Sequence, residues 1–418
     1  MNEAQRPIRH SRLINASPIF YGWVVLVAGT LGMLMTTPGQ TVGVSVFLDP
    51  IIDDLGLTRS LVSLLYMLGT LTGSLALPWI GRGIDRFGTR RAVVAIAVLF
   101  SLACGGMALV QGVVTLGLGF IAIRGLGQGA LGLVSINAIN LWFVQRRGLA
   151  LSLSGIGFAL GIGTFPLLIE WLIRQYGWRW AYALLGGLVA VTILPAGALV
   201  FRRQPELYGL QPDGRLGART QQRPTEANVT LAQARRTSTF WLFALGNGVV
   251  AALGTGLLFH HYSIMATAGV DRTLAALVFL PYGLVAAGAN LVSGLLLDRI
   301  SPRFLLSVMV WMLCLALLLA VRVNSPQLLV LYGVLLGLMQ GTNGILQAGV
   351  YAYYFGRAHL GSISGFAATL MVAATAVGPL LFSVGFERFG SYALVLTLAS
   401  LLPFTVGLVA LGLELRQR

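Results

Sequence analysis

Long apolar runs separated by short polar loops fill almost the whole chain. Twelve runs can be placed, at roughly 20–47, 60–81, 92–111, 114–138, 149–173, 179–201, 239–265, 273–296, 304–322, 327–349, 361–385 and 391–413. Each is long enough to cross a bilayer as a helix, which takes about 20 apolar residues. A helix is the natural form for such a run, because it satisfies its backbone hydrogen bonds internally. The pattern predicts an all-α membrane protein of twelve transmembrane helices. Only one polar segment is long, 202–237, and it carries Pro, Gly, Gln and several arginines. It reads as a linker between two six-helix halves.

Composition agrees. Of 418 residues, 56% are hydrophobic and 10% charged, against about 25% charged in an ordinary soluble protein. Too little polar surface exists to face water. The net charge of +15 would suggest nucleic acid, but its distribution says otherwise. There is no lysine, and 21 of 28 arginines fall on segments that share one side if the N-terminus is cytoplasmic. Six fall on the other side and one, Arg124, inside the membrane. This is the positive-inside asymmetry. It places both termini in the cytoplasm, and the basic face attracts anionic lipid rather than nucleic acid. The segment 1–19 reads as a cytoplasmic tail, since the run after it is too long for a cleavable signal. Cys104 and Cys314 sit within apolar runs as small apolar side chains, and no disulfide framework, metal site or cofactor is indicated.

The two halves repeat. Asp85 and Asp298, Gly56 and Gly269, and Pro166 and Pro379 each lie 213 positions apart; GLGQG at 125–129 meets GLMQG at 337–341 at an offset of 212. The expected organisation is therefore a bundle over 20–201, a cytoplasmic linker over 202–237, a second bundle over 238–414 and a tail over 415–418. Two pseudo-symmetric bundles can rock about their seam and open a midplane cavity to each side in turn. The expectation is a monomeric, multi-pass transporter of the plasma membrane, with a small-molecule substrate and the lipid bilayer as partners.

The loop GRGIDRFGTRR at 81–91 gathers five charges after an apolar run. Its pattern, Gly81, Asp85, Arg86, Gly88, Arg90 and Arg91, resembles the signature loop of the major facilitator superfamily. Gly294, Asp298, Arg299 and Arg303 echo it in the second half. The resemblance implies the major facilitator fold, and a loop that ties neighbouring helices together in one state of the cycle. Gly81 would allow close helix contact, and Asp85 would pair with arginines or a helix N-terminus. WFVQRRGLALSLSGIGFALG at 142–161, YGW at 21–23 and YGWRWAYALLG at 176–186 resemble the monocarboxylate-porter and oxalate/formate-exchanger branch. That branch carries an arginine and often an aspartate in the eighth helix; here those positions are Asn290 and Ala286.

An ionisable group in the bilayer core is expensive and marks function by default. Arg124 lies about ten residues into the fourth run, roughly 15 Å deep, with Gln128 one turn on. An anion held by the guanidinium fork is the functional reading. An arginine satisfied by helix carbonyls, Gln128 and water is the blander one. TTPGQ at 36–40 breaks the first helix at Pro38 and Gly39, and freed carbonyls and Gln40 could line a cavity. Gln340, Asn343 and Gln347 form one helical stripe that continues through Tyr351 and Tyr354. With Asn290, these residues are the substrate-binding candidates. His260 and His261, near the outer end of the seventh run, are the proton-coupling candidates. Asp49, Asp53 and Asp54 end the first run outside, and Glu170 has Arg174 at i+4 as a local partner.

The leading expectation is secondary transport of a small organic solute, a carboxylate anion first, coupled to a proton or an exchanged anion. Export of drug-like or amphipathic compounds is the alternative, and it would account for the uncharged eighth helix. An enzyme would need a nucleophile–base set or a metal cluster at one depth, and none is found. A non-transporting sensor would bring a signalling domain. ATP-driven transport by this chain is excluded, because a phosphate-binding loop needs a lysine.

Overall fold

The computed structural model describes residues 11–143, 146–214, 229–297, 299–355 and 360–412. Every regular element among them is helical. Among the described residues, ten segments are long and apolar enough to cross a membrane. One of these, Leu149–Val200, has 52 residues. Straight, it would extend about 78 Å, far beyond a hydrocarbon core of about 30 Å. Gly177 breaks it, with φ 77° and ψ 164°. The expected second span is instead divided into Arg59–Leu75 and Leu77–Phe87, the second starting one residue before Pro78. Large apolar side chains face outward: Val27, Leu75, Leu102, Val114 and Val191 are about two-thirds or more exposed. In water such a surface would drive aggregation; against lipid it is at rest.

The first run is broken where Pro and Gly predict it. Gly22–Leu34 gives way to a single 3-10 turn, Thr37–Gly39, and Thr41–Leu55 then resumes. Pro38 cannot donate its backbone nitrogen. Thr36 and Thr37 hydroxyls donate back to the carbonyls of Met33 and Leu34, each at 2.6 Å, and cover acceptors near the break. The repeat seen in the sequence recurs in the backbone. Gly56 and Gly269 both take positive φ (61° and 75°), as do Gly177 and Gly390 (77° and 65°); both pairs are 213 residues apart. The break that starts at Thr37 has its counterpart 213 residues on, where a wide π turn runs over Val250–Gly254.

The described residues form two compact units. The first draws on Met1–Gln40, Thr72–Gly161 and Leu172–Gln221; the second on Thr41–Leu71, Ile162–Trp171 and Gln222–Arg418. Within the first, Gly73 and Gly125 let two helices touch, since a Cβ on Gly125 would lie 3.2 Å from the Cα of Gly73. Within the second, Gly333, Gly337 and Gly341 form a smooth ridge at i, i+4, i+8. The carbonyls of Val278, Tyr282 and Ala286 press on it, so that Phe279–Leu297 and Pro326–Phe355 meet backbone to backbone. Of the polar linker, 202–214 forms short 3-10 turns and Thr230 caps Leu231–Ala234; the stretch 215–228 lies outside the described residues.

Candidate functional site

The break in the first run and the arginine of the fourth meet inside the first unit. Arg124 opens a π-helical stretch, Arg124–Leu131, inside the apolar helix Val113–Trp142. The wide turn holds three glycines, Gly125, Gly127 and Gly129. Gly39 approaches it closely: a side chain there would strike the Ile123 carbonyl and the Cα of Gly127. Arg124 is 3% exposed, and its Nη1 donates to the Gly39 carbonyl at 2.8 Å. A freed carbonyl at the break thus orients a buried cation, as the blander sequence reading anticipated in part. Nearby, Gln40 is half-buried and donates to Thr36 Oγ1 at 3.1 Å. Gln128 Oε1 is buried, with no protein hydrogen-bond partner among the described residues.

The other candidates belong to the second unit, and two of them are joined directly. Gln347 donates to Asn343 Oδ1 at 2.9 Å. Asn290 reaches the Gly341 carbonyl only at 3.5 Å, beside a buried Ser293–Thr342 hydroxyl pair at 3.0 Å. Gln340 is half-buried, and Tyr351 is buried with its ring 5.9 Å from that of Phe240.

His260 and His261 are both fully buried, and they point to different neighbours. His260 stands at the kink between Thr255–Phe259 and His261–Thr267. Its Nε2 donates to the Pro379 carbonyl at 2.8 Å, and its Nδ1 lies 3.4 Å from the Tyr392 hydroxyl. His261 Nε2 donates to the Ala275 carbonyl at 2.9 Å, and its ring lies parallel to Tyr332 at 5.8 Å. A carbonyl only accepts, so each Nε2 carries a proton.

The signature loop turns at Gly88, with φ 85°. Arg203 donates to the Arg86 carbonyl and Thr89 to the Arg202 carbonyl, both at 2.9 Å. One expectation needs correction. Gly81 makes no close helix contact here, because a Cβ on it would meet nothing within 4 Å. Gly294 faces only Ile345, at an ordinary 3.6 Å. Arg90, Arg91 and Arg299 are exposed. The side chain of Asp85 and the whole of Asp298 lie outside the described residues.

Sequence reasoning missed an ion-pair cluster in the second unit. Asp49 pairs with Arg59 at 2.9 Å and with Arg272 at 3.6 Å. Arg272 also donates from Nε to Glu170 at 2.8 Å and from Nη2 to the Val46 carbonyl, and its guanidinium lies 4.8 Å over the Tyr262 ring. Glu170, expected beside Arg174, also takes a partner 102 residues away in sequence, Arg272. Glu387 accepts from the Ser60 backbone nitrogen at 2.9 Å. The arrangement follows the repeat. Arg59 and Arg272 are 213 residues apart, each opens a helix, and each helix start meets a glutamate from a distant helix. That equivalence was the available signal.

An all-helical chain with several segments long and apolar enough to cross a membrane and with repeated half-structures has the architecture of a multi-pass membrane protein. The sequence profile of the Major Facilitator Superfamily matches residues 24–268, and the chain belongs to that family. Among its relatives is the oxalate:formate antiporter of Oxalobacter formigenes, 25% identical over 53% of this chain and 50% of that one. Human monocarboxylate transporter 6 is 30% identical over 40% of this chain and 33% of its own length. The multidrug resistance protein B homologue of Mycobacterium tuberculosis is 33% identical over 38% and 29%. The chain spans half or less of the length of these relatives. A bacterial homologue of the human lysosomal transporter Spinster, solved inward-facing and occupied, matches with a TM-score of 0.65 over 93% of this chain and 95% of that one, at 18% identity. That likeness concerns the fold.

Proposed function

We propose that this chain is a secondary transporter of a small organic anion, a carboxylate above all, carried by alternating access of two six-helix bundles at 20–201 and 238–414. The reading includes twelve spans, cytoplasmic termini, a cytoplasmic linker at 202–237, a place in the plasma membrane and a monomeric state. One observation carries it. Arg124 sits 3% exposed in an apolar helix and is aimed by the Gly39 carbonyl. The Gly39 carbonyl orients the guanidinium, and a carboxylate matches its planar fork. Gln128 and Gln40 would contact the substrate from the first half; Asn290, Gln340, Asn343, Gln347 and Tyr351 from the second. His260 and His261 are the groups through which a proton would be coupled. The Asp49–Arg59–Glu170–Arg272 cluster joins segments of both sequence halves, so opening on that side must break it. The loop residues Arg86, Arg90, Arg91 and Arg299 bias the opposite side.

A second reading, export of amphipathic compounds, has its own support. Phe279–Leu297 contains no charged residue, and one relative is named as a multidrug resistance protein. Counterflow in proteoliposomes decides between them. Oxalate, formate, lactate and pyruvate are compared with lipophilic cations, with and without a pH gradient. Accelerated exchange by a carboxylate is the expected result. Movement of lipophilic cations alone would overturn the anion reading and support the second.

A further inference from the structure

Two adjoining cavities flank the signature loop, both formed by residues of the first unit. The first, of about 240 Å³, is lined by Arg86, Phe87, Arg90, Arg91, Arg203 and Tyr208. Four guanidiniums and a phenol converge there, with no carboxylate in the lining among the described residues. At about 30 Å³ per water it has room for about eight waters, enough for a phosphate group. The recess has a built frame. Arg203 donates to the Arg86 carbonyl and Thr89 to the Arg202 carbonyl, and a side chain on Gly88 would strike Arg203. The second cavity, of about 310 Å³, is a groove along the ends of Leu77–Phe87 and Thr89–Met107. Ile80, Ile84, Ala95 and Ile96 make it almost wholly apolar, and Phe87 and Arg91 line both cavities.

We propose that the two cavities are one binding site for an anionic phospholipid, the phosphate seated among the arginines and an acyl chain lying in the groove. Four guanidiniums facing one recess favour an anion there, and guanidinium forks match phosphate oxygens. A basic pocket at the end of membrane helices is suited to a lipid headgroup. A soluble phosphate would satisfy the recess but leave the groove beside it without a role. One ligand with a charged head and an apolar tail accounts for both cavities and for the two residues they share. The site is separate from the substrate candidates and does not depend on what is transported.

The test is native mass spectrometry of the full-length protein in detergent, titrated with phosphatidylglycerol, phosphatidylcholine or inorganic phosphate. Phosphatidylglycerol is expected to bind at least about tenfold more tightly than phosphatidylcholine. Arg90→Gln with Arg91→Gln should weaken it about fivefold for each arginine removed. Ala95→Phe should weaken it several-fold by filling the groove; Ala95 is exposed, so this variant tests the site even if the arginine pair fails to fold. Excess inorganic phosphate should not displace the lipid. Equal retention of both lipids, or phosphatidylglycerol binding untouched by both sets of changes, would overturn the proposal. Displacement by inorganic phosphate together with a silent Ala95→Phe would assign the recess to a soluble anion instead, and would also overturn it.

Discussion

Replacing Arg272 by glutamine removes the member of the ion-pair cluster that bridges Asp49 and Glu170. The guanidinium side chain is 28% exposed and the Glu170 side chain only 4%. Breaking a fully buried pair costs about 3–5 kcal/mol, and an exposed one under about 1 kcal/mol. With one partner partly wet, Arg272→Gln should cost about 2–3 kcal/mol. Glu170→Gln should cost less, by about 1 kcal/mol. Arg272 would then still have Asp49, the Val46 carbonyl and the face of Tyr262, the last worth about 0.5–1 kcal/mol. Thermal unfolding of the four members of the double-mutant cycle measures this. For a chain of this size each kcal/mol moves the midpoint by roughly 1 °C. The expected coupling energy is about 2 kcal/mol. Strict additivity, or a larger loss for Glu170→Gln than for Arg272→Gln, would show that the pair does not hold these helices as the geometry implies.

Two further outcomes follow from packing and hydrogen bonding. Gly337→Leu would drive a side chain against the Tyr282 carbonyl at 2.7 Å and the Val285 Cβ at 2.8 Å. Overpacking of backbone against backbone should cost about 3 kcal/mol, read as a lowered melting midpoint in detergent; an unchanged midpoint would mean the ridge can part freely. His261→Ala removes one of two donors to the Ala275 carbonyl, which still accepts from the Val278 backbone nitrogen, and should cost about 1 kcal/mol for the lost hydrogen bond. His261→Gln, which keeps a donor, should recover part of that loss in the same assay.

The all-helical character and the presence of several membrane-length apolar segments were legible because apolar runs of bilayer length have few other folds. The break at Thr37–Gly39 was legible because Pro38 removes a donor, whatever surrounds it. Arg124 was visible as a charge in an apolar run. Its partner was not, because a carbonyl freed by a helix break belongs to the backbone and leaves no side-chain signature. The Glu170–Arg272 pair was obscured by a nearer arginine at i+4, although the 213-residue repeat already set Arg272 beside Arg59 in register. The place of His260 and His261 at the end of an apolar run was legible, but their complete burial in the protein was not. Their carbonyl partners, Pro379 and Ala275, come from separate helices, and only the folded chain brings them in. Gly81 shows the converse, since a motif position need not carry a tight contact in every conformation.

The claim at the centre is that Arg124 seats the transported anion. Carboxylate counterflow should be measured in proteoliposomes for the unaltered protein, Arg124→Lys and Arg124→Gln, with each variant checked for its melting midpoint. A seat for a carboxylate predicts that Arg124→Gln abolishes exchange and that Arg124→Lys, which keeps charge but loses the bidentate fork, retains a small fraction with a raised half-saturating concentration. If Arg124→Gln folds and exchanges the same carboxylate at the unaltered rate and concentration dependence, the arginine is a structural group and the account of an anion site at the helix break is wrong.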